Sequence, residues 1–273
     1  MENTPGSGEI DRRNWLKAAG LGTAAWMAAG HARAESTTPP PQKVRGVVFM
    51  VSDGMSPGVL TLAEAYSKLT RKRGTQWWQL LNNPAAVRGL MDTASANSMV
   101  TDSAAASSAW GGGQRVNNGA INVSPDGREI TPIAAVLKKS SSARIGLVTT
   151  ATVTHATPAG FAASVSARAS EPEIASQYLN RVDVILGGGK GFFDATGRPD
   201  KRDLRGDFAN AGYGVITDRD SMLASRDQKL LGTFTLGHLP FSIDRDHNPK
   251  LAAKVPTLAE MSLAALSRFL VDD

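Results

Sequence analysis

The chain has 273 residues, a formal net charge of +5 and no cysteine, enough length for one large domain and no basis for a disulfide scaffold. Its basic residues are scattered, Arg71-Lys72-Arg73 being the one tight cluster, and no aromatic residues interleave with them. That pattern excludes a nucleic-acid groove and reads as a solvated helix end.

In chain order, residues 1 to 34 read as an address and not as structure. Arg12 and Arg13 in DRRNWLK precede an apolar, small-residue stretch from Ala18 to Gly30 and an Ala32-Arg33-Ala34 ending suited to signal peptidase. This is the pattern of a twin-arginine export signal, and it implies delivery of a folded protein to the periplasm or beyond. The stretch falls short of the about 20 apolar residues that a stable membrane span requires. The absence of cysteine fits an oxidising destination. Residues 35–43, with TTPPPQ at Thr37 to Gln42, form a stiff tether, and the folded domain is expected over 44–273. Without residues 1 to 34 the balance is 26 basic against 22 acidic residues, a mild charge.

From Val44 onward apolar strands alternate with helices. Val47 to Val51 predicts a buried strand, and Ser56-Pro57 supplies an N-cap and a first-turn proline for a helix to about Leu69. Thr131-Pro132 opens a helix up to Lys139, Ile145 to Thr149 predicts a strand, Ser170-Glu171-Pro172-Glu173 is a capping box for a helix to about Leu179, and Val182 to Leu186 predicts a further strand. This βαβ order predicts an α/β fold, a mostly parallel sheet with helices on both faces, whose chemistry lies at the carboxyl ends of the strands.

Polar groups stand at three sites where that rule places chemistry. Asp53 follows the first predicted strand, His155 and Thr157 follow the strand from Ile145, and Ser103 opens the Ala-rich run AAASSAW, which favours helix. A serine at a helix N-terminus lies in a field that favours an alkoxide or a bound phosphate, and the small residues after it read as space cleared for a large group. Each group has a bland alternative: Asp53 in a turn, His155 in a loop, Ser103 as a helix cap. Together, a carboxylate, an imidazole and a hydroxyl are what a divalent cation and a nucleophile require.

Two other motifs fail on chemical grounds. Gly54-Met55-Ser56-Pro57-Gly58 matches the G-x-S-x-G elbow of serine hydrolases, but the elbow uses the N–H after the serine as an oxyanion donor, and Pro57 has none. Gly187-Gly188-Gly189-Lys190-Gly191 lacks the hydroxyl residue and spacing of a phosphate-binding P-loop and reads as a tight turn after a strand.

VVFMVSDGM, VTDSAAASSAW, VTTATVTHATPAGFAASVSAR and VDVILGGGKGFF, in that order, resemble the alkaline phosphatase family, as do FTLGHLPFSIDRD and PTLAEMSLAAL further on. The resemblance implies a metal-dependent hydrolase of small phosphate monoesters acting through a phosphoserine, commonly as a homodimer, with two Zn2+ and one Mg2+. It implies that Ser103 is the phosphorylated serine, that Asp53 bridges metals, and that His155 and Thr157 help to hold the third metal. Arg168 matches the arginine that forks two phosphate oxygens, and Asp102 the neighbour that orients it.

The sequence also departs from the family pattern. The remaining family metal ligands come from a second half that this sequence does not contain, and His238 and His247 are the spare imidazoles. An alternative expectation is therefore a truncated, catalytically inactive chain that binds metal or phosphate weakly. Some relatives have aspartate in place of His155, which leaves the identity of the third metal open.

Overall fold

The computed structural model describes residues 46–269. The chain divides into a unit Met1–Val48, of which Gly46 to Val48 are described, and a unit Phe49–Asp273 that holds every element below. The expected signal peptide (1–34) and tether (35–43) lie outside the described residues.

Helices α1 (Pro57–Arg71), α2 (Gln76–Leu81), α3 (Ser103–Gly111) and α4 (Ile133–Ser140) precede strand β1 (Gly146–Thr152). Helices α5 (Ala156–Ala162) and α6 (Glu171–Gln177) carry the chain to β2 (Val184–Gly188), and α7 (Leu204–Asn210) carries it to β3 (Gly214–Ile216). Helix α8 (Arg219–Ala224) leads to β4 (Leu230–Thr233), and α9 (Ser242–Asp246), α10 (Pro249–Lys254) and α11 (Leu258–Phe269) follow. The strands lie in the order β1-β2-β4-β3, and every pairing is parallel. Parallel neighbours cannot be joined by a hairpin, so each connection must cross a face of the sheet, and the helices are those crossings.

Successive strand residues point to opposite faces, and two cores divide accordingly. Ile185 and Leu231 belong to a cluster with Ala159 of α5, Ile174 of α6 and Phe208 of α7. Val184, Leu186 and Leu230 belong to a second cluster with Met222 of α8 and Met261 of α11. β2 and β4 are thus buried on both faces, which is why their sequences run apolar without alternation. Each fully buried Leu, Ile or Phe contributes about 1.5–3 kcal/mol of transfer free energy to this sandwich.

The predicted helices and the strands at Ile145 and Val182 form within a few residues of their expected limits. Val47 to Val51 does not form a strand: the segment has no regular secondary structure and no ladder partner among the described residues, and Met50 remains 75% exposed. An apolar run specifies that a segment would gain by burial, but a strand exists only through the hydrogen bonds of a neighbour. Nor does the capping box at Ser170 close, since its side chain makes no cap bond. The Arg71-Lys72-Arg73 cluster is exposed at the end of α1, where Lys72 turns left-handed, as expected.

Candidate active site

The site gathers at the carboxyl end of β1 and the amino end of α3. Asp102 is the N-cap of α3, its Oδ1 accepting from the Ala105 amide at 2.9 Å. Because Asp102 does the capping, the hydroxyl of Ser103 is free to turn outward, and it donates to Asp53, with both carboxylate oxygens 3.1 Å away. Thr157, in the first turn of α5, donates from Oγ1 to Asp53 Oδ2 at 2.7 Å. His155 is the N-cap of α5, and its Nδ1 lies 3.9 Å from the same Asp53 oxygen. Asp53 itself projects from a turn closed by the Met55 amide on the Ser52 carbonyl, with Gly54 at φ 72°. The segment is fastened just upstream, where the Phe49 ring meets Phe161 edge-on at 5.2 Å and Trp110 at 6.0 Å.

The run of small residues after Ser103 serves a different purpose from the one its exposure suggested. Ala104, Ala105 and Ala106 are buried, not open. Ala104 packs in one core with Ala156 and Ala159 of α5, Ala105 in another with Val116 and Ala120, and two glycines let α3 and α5 pack almost backbone to backbone: a Cβ on Gly111 would overlap the Gly160 carbonyl oxygen, and one on Gly160 would overlap Ser107. Ser107 Oγ donates to the Ala156 carbonyl at 2.9 Å across this contact. Close packing of the two helices is what brings Ser103 and Thr157 to one carboxylate.

Arg168 stands beside this group. Its Nη1 donates to Asp102 Oδ2 at 3.2 Å, its Nη2 to His155 Nε2 at 3.0 Å, and its backbone N–H to the Gly119 carbonyl at 2.7 Å. Asp102 Oδ2 also accepts the Gly119 amide at 3.0 Å, so the cap of one helix is also the anchor of the guanidinium. Asn118, which sequence reasoning passed over, takes the Asp102 amide on Oδ1 at 3.0 Å. The NNG tripeptide at 117 to 119 is a turn signal in the sequence, but nothing in it points to Asp102. Burial, and after it the Arg168 charge, holds the His155 imidazole below the usual histidine value, with Asp53 pulling the other way. The ring is therefore neutral at pH 7, able to accept from Arg168 or to act as a ligand.

All six sequence-predicted site residues thus converge, Asp53, Ser103, His155 and Thr157 directly and Asp102 with Arg168 alongside. Of the spare histidines, His238 is unexpectedly close: its ring lies edge-on to that of His155, centroids 5.8 Å apart. His247 is at the end of α9, bonded to the Ile243 carbonyl.

The donor set is one carboxylate, two hydroxyls and an imidazole. Its oxygen donors fit a single Mg2+, which binds through one or two carboxylates and keeps several waters, while an imidazole suits a softer ion. Zinc requires three or four protein ligands, and among the described residues no three His, Cys, Asp or Glu side chains converge. The described residues do not by themselves fit the zinc pair.

The alkaline phosphatase family profile matches residues 44–272. The chain belongs to the alkaline phosphatase family. It is 32% identical over 241 residues to alkaline phosphatase 4 of Bacillus subtilis, covering 83% of this chain and 48% of that one. The crystal structure of Thermus thermophilus alkaline phosphatase superposes with a TM-score of 0.73 at 40% identity, over 80% of this chain and 45% of that one. A mutant of the TAB5 alkaline phosphatase, from an Antarctic bacterium, described with Mg bound in its M3 site, superposes with a TM-score of 0.57 at 27% identity, over 76% of this chain and 57% of that one. The chain spans about half the length of these relatives.

Proposed function

We propose that this chain carries the nucleophile side of a metal-dependent phosphate monoester hydrolase, with Ser103 accepting the phosphoryl group. The observation that carries the proposal is the Ser103 hydroxyl at the start of α3, held 3.1 Å from both oxygens of a carboxylate that Thr157 also grips. The O–H aimed at Asp53 leaves an Oγ lone pair free for in-line attack on phosphorus, and the α3 amino end favours the anion that arrives there. Arg168, a third exposed and anchored by Asp102, grips two phosphoryl oxygens through its fork of N–H groups. The Ser103 Oγ–P bond forms as the P–O ester bond breaks, with the serine proton ending on the departing alcohol; water then breaks the Oγ–P bond, returning a proton to Oγ and releasing phosphate. A divalent cation on Asp53, Thr157 and His155, when bound, supplies the positive charge that eases ionisation of the hydroxyl and neutralises the phosphoryl oxygens. Magnesium suits the oxygen donors Asp53 and Thr157; the two zinc ions that the family implies need groups beyond the described residues. Export by the twin-arginine signal completes the proposal and places the activity in the periplasm or outside the cell.

A second reading, a chain that holds phosphate or one cation without turnover, is favoured by the lack of three converging ligand side chains among the described residues. One experiment separates the two. The mature protein is incubated with p-nitrophenyl phosphate, Mg2+ and Zn2+, quenched in acid and mapped by mass spectrometry. A phosphoryl group on Ser103, lost in Ser103→Ala and kept in Thr101→Ala, supports the hydrolase. A label on Ser56 or Ser107 overturns the assignment, and the absence of both label and p-nitrophenol favours the second reading.

A further inference from the structure

The turn that presents His155 and Thr157 is held from two sides by side chains with no part in the mechanism above. Thr152 closes β1, and Thr154 follows it; their side chains are buried, Thr154 completely. Both hydroxyls donate to the same oxygen of Glu171, Thr152 Oγ1 at 2.7 Å and Thr154 Oγ1 at 2.5 Å. Glu171 is the first residue of α6, in the segment that sequence reasoning assigned to a capping box. From the other side, His238 Nδ1 accepts the Thr152 backbone N–H at 2.9 Å. The loop after β4 that carries His238 is itself fixed on β1, the Leu239 amide donating to the Thr150 carbonyl at 2.9 Å. Gly188 packs so closely beneath this loop that a Cβ there would overlap the Gly237 carbonyl oxygen.

We propose that Glu171 and His238 are positioning residues that clamp the Thr152–His155 turn and thereby set the geometry with which His155 and Thr157 meet Asp53 and a bound divalent cation. This rests on the metal reading of the site given above. The reasoning is one of satisfaction: a buried hydroxyl or amide without a partner is costly, so removing either acceptor drives the turn to rearrange, and His155 and Thr157 move with it. Groups that orient metal ligands from behind affect affinity by about 10- to 100-fold when removed. His238 acts here through Nδ1 alone, and an asparagine carbonyl oxygen can stand in for that nitrogen as an acceptor.

The test uses His238→Ala, His238→Asn and Glu171→Ala in the mature chain, with Asp53→Ala as a control, and two measurements. Amide hydrogen exchange by mass spectrometry over residues 150–160 reads the turn whether or not metal binds. Mn2+ binding, followed by the electron paramagnetic resonance of the free ion with Mg2+ as competitor, reads the site. The expected result is faster exchange confined to that peptide and about 10-fold weaker Mn2+ binding in His238→Ala and Glu171→Ala, with His238→Asn restoring both to within about 3-fold. Unchanged exchange in both alanine variants overturns the clamp. Faster exchange with unchanged Mn2+ affinity overturns its link to the cation. His238→Asn as defective as His238→Ala also overturns it, by showing that the ring acts through Nε2. Should the parent bind no Mn2+, or bind it equally after Asp53→Ala, the metal reading fails, and with it the proposed link, while the exchange data still decide whether the turn is clamped.

Discussion

Substituting Gly160 by alanine should damage this protein more than any surface change, because Gly160 lies where α3 and α5 touch. A Cβ added there would overlap the Ser107 side chain and lie 2.8 Å from the Ser107 carbonyl carbon, which is backbone and cannot swing aside. The helices must separate. Overpacking of this kind costs about 1–3 kcal/mol. Separation also strains the Ser107 hydroxyl bond to Ala156 and the Asn122 Nδ2 bonds to the Gly160 and Ala163 carbonyls, at 2.7 and 2.8 Å. With the strain spread over these three bonds amounting to about one typical hydrogen bond, about 1 kcal/mol, the expected loss is about 2–4 kcal/mol. For a domain of this size that lowers the melting temperature by roughly 5–15 °C. Calorimetry of Gly160→Ala against the parent and against Gly191→Ala, where a Cβ meets nothing within 4 Å, makes the comparison. Phosphoryl labelling of Ser103 should also fall at temperatures where Gly160→Ala is still folded, since Thr157 and His155 ride on the displaced helix. A melting point within about 1 °C of the parent, or an equal fall in Gly191→Ala, would refute the account of close helix packing.

Two other expectations follow from particular residues. Glu260 closes a capping box at the start of α11, accepting the Thr257 amide at 2.8 Å, and accepts from Arg219 Nε at 2.9 Å; the Arg219 bond above all holds its carboxyl down to about 2. A depressed carboxylate stabilises the fold above the unfolded value of about 4.3, and this contribution fades as pH falls through about 2, so Glu260→Gln should cost about 1–2 kcal/mol at pH 7 and flatten the urea-melt stability curve between those pH values. An equally steep acid limb in the variant would count against this pair. Changing Arg12 and Arg13 together to lysine should hold the precursor in the cytoplasm on cell fractionation, and unchanged export would point to the general secretory route.

Local chemistry was legible in the sequence. The proline after Ser56, the glycine turn after β2 and the apolar runs at Ile145 and Val182 specify their elements through constraints that act within a few residues. The placement of His155 and Thr157 was legible for a related reason: in a parallel sheet, polar groups directly after an apolar strand are delivered to one edge whatever the rest of the chain does, whereas Asp53 follows a segment that forms no strand and Asp102 and Arg168 were expected only from the family resemblance. Three features were decided only by tertiary structure. Val47 to Val51 has the composition of a buried strand, yet hydrogen-bond partners lie outside any local pattern, and the segment stays unpaired and exposed. The alanines after Ser103 looked like cleared space, whereas they are buried, and only the position of α5 makes Gly111 and Gly160, nearly 50 residues apart in sequence, a close helix contact. Glu171 stood out only as part of a capping box and His238 only as a spare imidazole, since a carboxylate beside Pro172 and a histidine in a loop acquire this role only when folding places them against the two sides of Thr152. Spacing along the chain encodes what a residue does to its neighbours, whereas the partners of a long-range hydrogen bond are chosen by packing.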